Sequence, residues 1–292
     1  MSEPADNPDP AVAHVSDTAL WVAVYRATES KRKDALFRDP YAEQLAGDRG
    51  RRIAGQLEPG NSAAWSIITR TAVLDELILG AIRDGADTVL NLAAGLDTRP
   101  YRLSLPPATR WIEVDFPEMI DYKAGKLADA RPQCELERVA LDLTDRPARQ
   151  RLFSRVSEES RQVLVITEGL LVYLTLDEVA ALARDLHAMS HFQRWTADVL
   201  SPELLEWLLQ RQFKTFATGA VRMHFAPPGG VAYFERFGWR AHEVRKITVE
   251  SRRLKRQMPR AWVYRLLGSV SPKHVRERYG KFETYMFVLE RA

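Results

Sequence analysis

The feature that most constrains the fold is a regular alternation of short apolar runs with helical stretches between residues 85 and 200. The first run, Thr88–Ala93, stops just before Gly95. Helical patterns separate it from four further strand candidates, at Arg110–Asp115, Leu136–Leu141, Gln162–Thr167 and Arg194–Leu200. This order is typical of an α/β protein with a doubly wound, mostly parallel sheet that carries helices on both faces.

The segments on either side of this core have a different character. Residues 1–12 are acidic and rich in proline, so we expect a disordered tail and not a signal peptide. Residues 13–84 contain helical patterns that we interpret as an N-terminal helical cover over the core at residues 85–200. Residues 201–281 are interpreted as an insertion on the substrate side, and residues 282–292 as an antiparallel C-terminal strand. We expect one domain over residues 13–292.

Composition excludes several classes of protein. The single cysteine, Cys134, excludes an internal disulfide and a Cys-rich metal site, and no apolar run approaches the roughly 18–20 residues of a membrane span. We therefore expect a cytoplasmic protein with no integral membrane segment. The net charge is +3, but 13 Lys or Arg and only 3 Glu lie between Arg240 and Lys281, a segment called here the basic stretch. It suggests an acidic partner or surface.

The end of the first predicted strand carries a glycine motif, Ala93-Ala94-Gly95-Leu96-Asp97-Thr98-Arg99. In open parallel sheets, ligands bind at the carboxyl ends of strands, where a glycine lets a ligand approach the backbone. Asp115 follows Gly95 by 20 residues and is placed to accept hydrogen bonds from ribose hydroxyls. Ala93 and Thr98 stand where pyrophosphate binders have glycines. The motif therefore favours a nucleoside without phosphates, such as S-adenosylmethionine.

The third predicted strand ends in an acidic and an apolar residue, Asp142 and Leu143. Such a pair could bond an adenine amine and pack against the face of the ring. The alternative is a helix cap at Thr144 or Asp145, ahead of Pro147. We expect both, with different residues in the two roles.

Two charged residues lie in apolar surroundings. Glu168 ends the fourth strand, where a carboxylate is costly unless it is paired, and its candidate partners are the ammonium or sulfonium of the cofactor. Arg70 lies on the apolar stripe of a long helix predicted from about Ser62 to Arg83, between Ile67 and Leu74. It either extends its charged end into solvent or pairs with a carboxylate, for which the guanidinium geometry is suited.

Taken together, these segments resemble the leucine carboxyl methyltransferase family, in particular its bacterial branch of S-adenosylmethionine-dependent methyltransferases. The resemblance runs from about Ser16 to Trp239 and includes the last strand. The matching segments are Asp17–Trp21, Tyr25–Ala27, Asp39–Ala42, Arg70–Thr71, Gly95–Arg99, Val114–Pro117, Leu141–Leu143 and Glu168–Leu174. In this order and spacing the set is specific to the family, whereas no single segment is.

The resemblance implies a Rossmann-like class I methyltransferase fold and assigns contacts to S-adenosylmethionine, the methyl donor that becomes S-adenosylhomocysteine. Arg70 would hold the carboxylate of the cofactor, Gly95 would line its methionine part, and Asp97 would be a further cofactor contact. The other implied contacts are Asp115 at the ribose hydroxyls, Asp142 and Leu143 at the adenine, and Glu168 near the amino group.

The sequence departs from the family pattern at two places. The family's Gly-Ala-Gly appears here as Ala93-Ala94-Gly95, and we expect the extra methyl group to weaken cofactor binding slightly. The lysine that eukaryotic members carry in the first helix has no clear counterpart, and Arg26 is our substitute for it.

Methyl transfer from a sulfonium is an in-line displacement that mainly requires alignment of the nucleophile, the methyl group and the sulfur. A carboxylate acceptor needs no general base at neutral pH, whereas a hydroxyl acceptor usually does. No histidine lies in the cofactor motifs, so we expect O-methylation, preferably of a carboxylate. Glu168 and Tyr173 are the candidate catalytic residues, and His224 is a further acceptor-side candidate for a hydroxyl substrate.

Other interpretations remain open. His187 and His191 have the i, i+4 spacing of metal ligands, but without a third ligand we expect no metal. The cations and aromatics of Ser251–Arg265 would suit RNA binding or RNA modification, although no known nucleic-acid module is present. The basic stretch could also dock an acidic carrier protein or anionic lipid, with Trp262, Tyr264, Leu266 and Leu267 as its apolar component. A nicotinamide oxidoreductase is disfavoured by the missing glycines. The acceptor, a small molecule or a carrier-tethered metabolite, is not identified by the sequence.

Overall fold

The structure is a computed structural model that describes residues 15–57, 63–212, 222–259 and 281–292. The predicted tail at residues 1–12 and much of the basic stretch lie outside these ranges. The strands of the described residues are β1 (Thr88–Leu92), β2 (Arg110–Asp115), β3 (Glu135–Ala140), β4 (Val163–Thr167), β5 (Phe192–Leu200), β6 (Trp239–Lys246) and β7 (Thr284–Arg291). The ends of the strands predicted from apolar runs agree with these bounds to within two residues.

Helices precede, separate and follow the strands. They are α1 (Val15–Ser30), α2 (Ala42–Leu57), α3 (Ala64–Arg83), α4 (Arg99–Arg102), α5 (Pro117–Lys126), α6 (Arg146–Glu158), α7 (Leu176–His187), α8 (Pro202–Gln212) and α9 (Ile247–Arg253). A single 3-10 turn covers Leu171–Tyr173, and a longer 3-10 segment covers Gly230–Phe237. A residue with a positive φ, Gly47 (φ 56°), interrupts α2.

The strands form one sheet in the order β3-β2-β1-β4-β5-β7-β6. The strands β1 to β5 are parallel to one another, and β7 is antiparallel to both β5 and β6. The predicted parallel sheet and antiparallel C-terminal strand are therefore confirmed. No strand is predicted within the basic stretch, yet β6 lies there at the sheet edge. Its exposed charged side chains are usual for an edge strand but hide the apolar alternation by which strands are recognised.

Apolar side chains cover both faces of the sheet. On one face, α3 packs against β1 and β4, for example through Val73, Val89 and Ile166. On the other, residues of α6 and α7 such as Phe153 and Leu182 pack with the alternate residues of the same strands. Every residue of β1 and β4 is buried, as expected for strands enclosed between two helical layers.

Strand register places the ends of β1, β2, β4 and β5 along one edge. Leu92 pairs with Val114, Asn91 pairs with Ile166, and Thr167 pairs with Ala197. The next residues of β2, β4 and β5 therefore lie along the same edge, with β1 between the first two, and all of them are acidic: Asp115, Glu168 and Asp198. The fold gathers these carboxylates at the carboxyl edge, where ligands bind in open α/β sheets.

The helices α1 and α2 pack together over this edge. Arg49 on α2 forms a two-bond ion pair with Asp17 on α1, at 2.8 and 2.9 Å. Leu20 of α1 packs with Leu45 of α2 and with Leu96 of the loop after β1. None of the described helices is long and apolar enough to cross a membrane.

Candidate functional site

The loop after β1 is tied to the end of β2 by the carboxylate of Asp115. This carboxylate accepts hydrogen bonds from the backbone amides of Gly95, at 2.6 Å, and Phe116, at 2.7 Å. The side chain is held in one orientation, and the residue is only 8% exposed.

The same loop contains two left-handed residues, Ala93 (φ 54°) and Gly95 (φ 49°). Left-handed backbone is natural for glycine but costs a residue with a Cβ about 1–2 kcal/mol. The family pattern has glycine at both positions, and the backbone of this chain keeps the glycine conformation although Ala93 has replaced one of them. Backbone strain of this kind is often concentrated at functional sites.

Glu168 lies between two guanidinium groups. Its Oε1 accepts a hydrogen bond from Nε of Arg70 at 3.1 Å, and its Oε2 accepts one from Nη1 of Arg99 at 2.7 Å. Burial acts to raise the pKa of Glu168, but the charges of Arg99 and Arg70 outweigh it and lower the pKa. The need for a cationic partner is therefore met by two arginines of the chain itself.

Arg70 reaches the site from the middle of α3. Besides Glu168, it contacts Oδ2 of Asp198 from Nη1 at 3.3 Å. The remaining Nη2 has no hydrogen-bond acceptor among the described residues. Arg70 thus pairs with carboxylates and does not extend its charged end into solvent. It retains one donor for a further carboxylate.

Asp198 is a site residue that sequence reasoning missed. It lies near the end of β5, is 7% exposed, and accepts the backbone amide of Gly169 at 2.7 Å. Burial raises the pKa of Asp198, although Arg70 and the Gly169 amide oppose this effect. The available signal was an acidic residue inside an otherwise apolar strand end, the same pattern that marks Asp115 and Glu168.

Arg99 is the second residue that was missed, although it belongs to the glycine motif. Its side chain is 2% exposed and contacts the carboxylates of Asp75, Asp97 and Glu168. Asp97 also accepts from the amide of Asn91 at 2.9 Å, and nearby arginines lower its pKa despite burial. Asp97 is thereby placed in the internal ion-pair network, and its assignment as a direct cofactor contact remains a prediction.

The third strand end is more open. Asp142 is exposed, and one of its oxygens accepts from the backbone amide and the hydroxyl of Thr144, both at 2.8 Å. Asp145 caps α6 by accepting the amide of Ala148 at 3.0 Å. The predicted helix cap is therefore confirmed at Asp145. The adenine contact through Asp142 and the half-buried Leu143 stays a prediction.

Tyr173 lies in the 3-10 turn after β4 and connects it to the helical cover. Its hydroxyl is hydrogen-bonded to the side chain of Thr18 on α1, and burial raises its pKa. The exposed His224 lies nearby, because its backbone amide donates to the carbonyl of Val172 at 2.7 Å. Arg26, the proposed counterpart of the eukaryotic lysine, donates to the carbonyl of Leu96 at 2.6 Å and so supports the glycine motif.

The i, i+4 spacing of His187 and His191 predicts that they share one face of a helix. This prediction is wrong, because α7 ends at His187. His187 packs edge-to-face against Trp239, and Nδ1 of His191 is 2.6 Å from the carbonyl oxygen of Ser157. Among the described residues there is no group of three or more His, Cys, Asp or Glu side chains arranged to hold a metal.

Several cations of the basic stretch are neutralised within the protein. Arg245 and Arg253 both contact Glu76 of α3, at 2.5 and 2.8 Å. Arg256 forms a buried pair with Glu29 of α1 at 2.8 Å. This described part of the stretch attaches α9 to the helical cover, which reduces the charge that it offers to a polyanion.

Comparison with known proteins identifies related sequences. A model of the family described as leucine carboxyl methyltransferase matches residues 19–187. A provisionally named S-adenosyl-L-methionine-dependent methyltransferase of Mycobacteroides abscessus is 37% identical over 191 residues, and another from Streptomyces coelicolor is 39% identical over 176 residues. The alignments cover 60% and 56% of this chain, and 62% of each relative. The chain thus spans less than two thirds of the length of these relatives.

Two crystal structures share the fold. A DUF574 family protein from Streptomyces avermitilis has a TM-score of 0.58 at 14% identity, over 92% of this chain and 97% of its own. A provisionally named methyltransferase from Thermobifida fusca has a TM-score of 0.55 at 16% identity, over 100% of this chain and 99% of its own. The predicted Rossmann-like α/β fold with an antiparallel C-terminal strand is therefore confirmed.

Proposed function

The chain belongs to the leucine carboxyl methyltransferase family, whose model covers more than half of its residues, and we propose that it is an S-adenosylmethionine-dependent O-methyltransferase. Its proposed acceptor is a carboxylate on a small molecule or on a carrier-tethered metabolite. The observation that carries this proposal is the row of carboxylates and guanidiniums at the carboxyl edge of the sheet, together with the lack of a suitable general base among its described members.

The residues of this edge fit the functional groups of S-adenosylmethionine. The remaining donor of Arg70 suits the carboxylate, and the anionic Glu168 suits the ammonium group. Asp115, a carboxylate at the end of β2 beside the strained loop of Ala93 and Gly95, suits the ribose hydroxyls. Asp142 and Leu143 would contact the adenine. We assign these residues to the cofactor, with residues 13–292 acting as one domain.

When bound, the cofactor would supply a methyl group that its sulfonium already activates. The chain then has to orient the acceptor and exclude water, with little covalent work left for side chains. Tyr173, whose pKa is raised by burial, is protonated at neutral pH and can donate a hydrogen bond to an anionic acceptor. It is poorly suited to remove a proton.

The carboxylates of the site are equally poor bases. Glu168 has a lowered pKa and is engaged by two arginines. Burial raises the pKa of Asp198, but its two oxygens are bound to Gly169 and Arg70. A hydroxyl acceptor usually requires a general base, whereas a carboxylate is already ionised at neutral pH. These environments therefore support a carboxylate acceptor.

Two measurements test the proposal. Calorimetry should detect binding of S-adenosylmethionine and S-adenosylhomocysteine to the purified chain, and no heat of binding for either would overturn the cofactor assignment. Methyl-labelled S-adenosylmethionine should then label carboxylic acids from a metabolite extract. Methyl esters release labelled methanol in mild alkali, whereas methyl ethers do not. Label that resists alkali would refute the carboxylate acceptor and leave the methyltransferase assignment intact.

A further inference from the structure

Arg99 is the most highly connected side chain of the site. Its Nε donates to Asp75 at 2.7 Å, and its Nη1 donates to Asp97 at 2.9 Å and to Glu168 at 2.7 Å. The backbone amide of Arg99 also donates to Asp97, at 2.9 Å. Three carboxylates thus share one guanidinium that is almost wholly removed from solvent.

The orientation of Arg99 is fixed by Asp75, which is itself held by a second arginine. Arg102, one turn later on α4, forms two hydrogen bonds with the carboxylate of Asp75, at 2.6 and 2.8 Å. Asp75 is therefore held by α4 at two points and in turn fixes Nε of Arg99. The planar fork of a guanidinium transmits this restraint to Nη1, the atom that meets Glu168.

The charges that face Glu168 come from four elements. Arg99 on α4 and Arg70 on α3 stabilise its ionised form, whereas Asp97 after β1 and Asp198 on β5 oppose it. Arg70 divides its charge between Glu168 and Asp198. Arg99 makes the shorter of the two contacts with Glu168, at 2.7 Å against 3.1 Å for Arg70. Without Arg99, one shared guanidinium would remain for this buried carboxylate.

We infer that Arg99 is a positioning residue of the cofactor site, which holds Glu168 ionised and oriented to receive the ammonium group of S-adenosylmethionine. This inference rests on the proposed cofactor. It gives a role to the arginine that ends the glycine motif, at a position that need not touch the cofactor. Glu168 accordingly acts as a fixed anion and not as a proton carrier.

The test compares two ligands that differ in the amino-acid part. S-adenosylhomocysteine carries the ammonium and carboxylate groups, whereas 5′-methylthioadenosine has the nucleoside and thioether without them. In Arg99→Gln, the affinity for S-adenosylhomocysteine should fall about tenfold or more, since hydrogen bonds to charged groups have roughly this value. The affinity for 5′-methylthioadenosine should be unchanged. A parallel loss for both ligands would show general disruption of the site and overturn the inference.

The pH profile gives a second readout. In the wild type the ratio of the two affinities should be constant between about pH 8 and about pH 5.5, because Glu168 remains ionised. In Arg99→Gln the ratio should fall towards the acidic end, because Glu168 then takes up a proton more easily. Arg99→Lys retains the positive charge and should keep the ratio flat. A flat ratio in Arg99→Gln would contradict the inference.

Two controls separate this role from stability. Arg110→Gln removes an ion pair with Glu159 at the opposite end of β2 from Asp115 and should leave the affinity ratio unchanged. In a double-mutant cycle, Arg99→Gln combined with Glu168→Gln should lose no more affinity than Glu168→Gln alone, and additive losses would refute action through Glu168. If Arg99→Gln does not fold, Arg99→Met, which also removes the positive charge, takes its place in the same cycle, with the same expected and contradicting results. If the wild type binds neither ligand, the proposed function fails instead.

Discussion

The carboxylate of Asp115 accepts a hydrogen bond of 2.6 Å from the backbone amide of Gly95, a residue that lies 20 positions earlier in the chain. The second oxygen of Asp115 is bound to the amide of Phe116. The end of β2 therefore fixes the loop after β1, and the proposed cofactor-binding edge of the sheet depends on a carboxylate that has a structural partner on each side.

Asp115→Asn should weaken the binding of S-adenosylhomocysteine by roughly 10- to 100-fold, the range for one or two hydrogen bonds to a charged group. An asparagine amide group would point a donor at one of the two backbone amides, and it would also lose the charge that favours ribose hydroxyls. Calorimetry measures the loss. Asp121→Asn, on the exposed face of α5, is the matched control and should leave the affinity unchanged. Equal affinities for both variants would contradict the assignment of Asp115.

Ala93→Gly should stabilise the protein, because the alanine has a left-handed backbone that glycine adopts without strain. The relief of about 1–2 kcal/mol is partly offset by the greater flexibility of glycine in the unfolded chain, so we expect a net gain of about 0.5–1 kcal/mol. Urea denaturation measures the free energy of unfolding. Ala94→Gly, at a neighbouring buried residue without a positive φ, should instead be destabilising. A loss of stability in both variants would argue against strain at Ala93.

Tyr173→Phe should loosen the helical cover, because the Tyr173 hydroxyl is hydrogen-bonded to Thr18 of α1. Loss of one hydrogen bond, about 1 kcal/mol, should make amide exchange in α1 roughly fivefold faster without changing α7. Hydrogen exchange followed by mass spectrometry resolves the two helices. Tyr122→Phe removes a bond of 2.7 Å to the carbonyl of Leu45 and should affect α2 instead. Unchanged exchange in α1 would mean that this contact does not restrain the cover.

The parts of the fold that could be predicted from the sequence are those with local signals. The strands β1 and β4 are buried on both faces, so they appear as continuous apolar runs. Parallel pairing then brings their carboxyl ends together, which is why Gly95, Asp115 and Glu168 could be assigned to one site. The edge strand β6 could not be predicted in this way, because its side chains are mostly exposed and charged.

The network behind the site could not be predicted, because its contacts join distant segments. Arg99 and Glu168 are separated by 69 positions, and Arg70 and Asp198 by 128. Periodicity places Arg70 on the apolar face of a helix but does not specify which carboxylate it meets. That choice depends on how α3, α4 and β5 pack in three dimensions, and such packing leaves no mark in any one segment.

A stability measurement at two pH values tests the contact between α6 and α7. Burial acts to raise the pKa of Asp185, but hydrogen bonds from Arg146, Arg149 and Gln150 outweigh it and lower the pKa from 3.8 to about 2. The folded-state pKa is the lower one, so the ionised form stabilises the fold above about pH 4, and this contribution is lost as the pH falls towards 2.

Asp185→Asn should therefore lower the free energy of unfolding by about 1–2 kcal/mol at about pH 7, a value reduced from the full linkage because Arg146 is half exposed. The difference in the free energy of unfolding between this variant and the wild type should be smaller at about pH 3. Urea denaturation at both pH values measures it, with Asp129→Asn, an exposed aspartate, as the control. A difference that does not depend on pH would show that the ion pairs are not its cause.

We expect some cations of the basic stretch to stabilise the fold, and these cations are not available to bind a partner. Arg256→Gln leaves the fully buried carboxylate of Glu29 without its closest cationic partner, and breaking a buried pair typically costs about 3–5 kcal/mol. Arg252→Gln changes an exposed cation of the same stretch and should alter the free energy of unfolding by about 0.5 kcal/mol at most. Thermal and urea denaturation of the two variants measures the contrast. If Arg256→Gln were as stable as Arg252→Gln, the pair with Glu29 would not anchor α9 to the helical cover. Arg256 would then count among the cations that a partner could use.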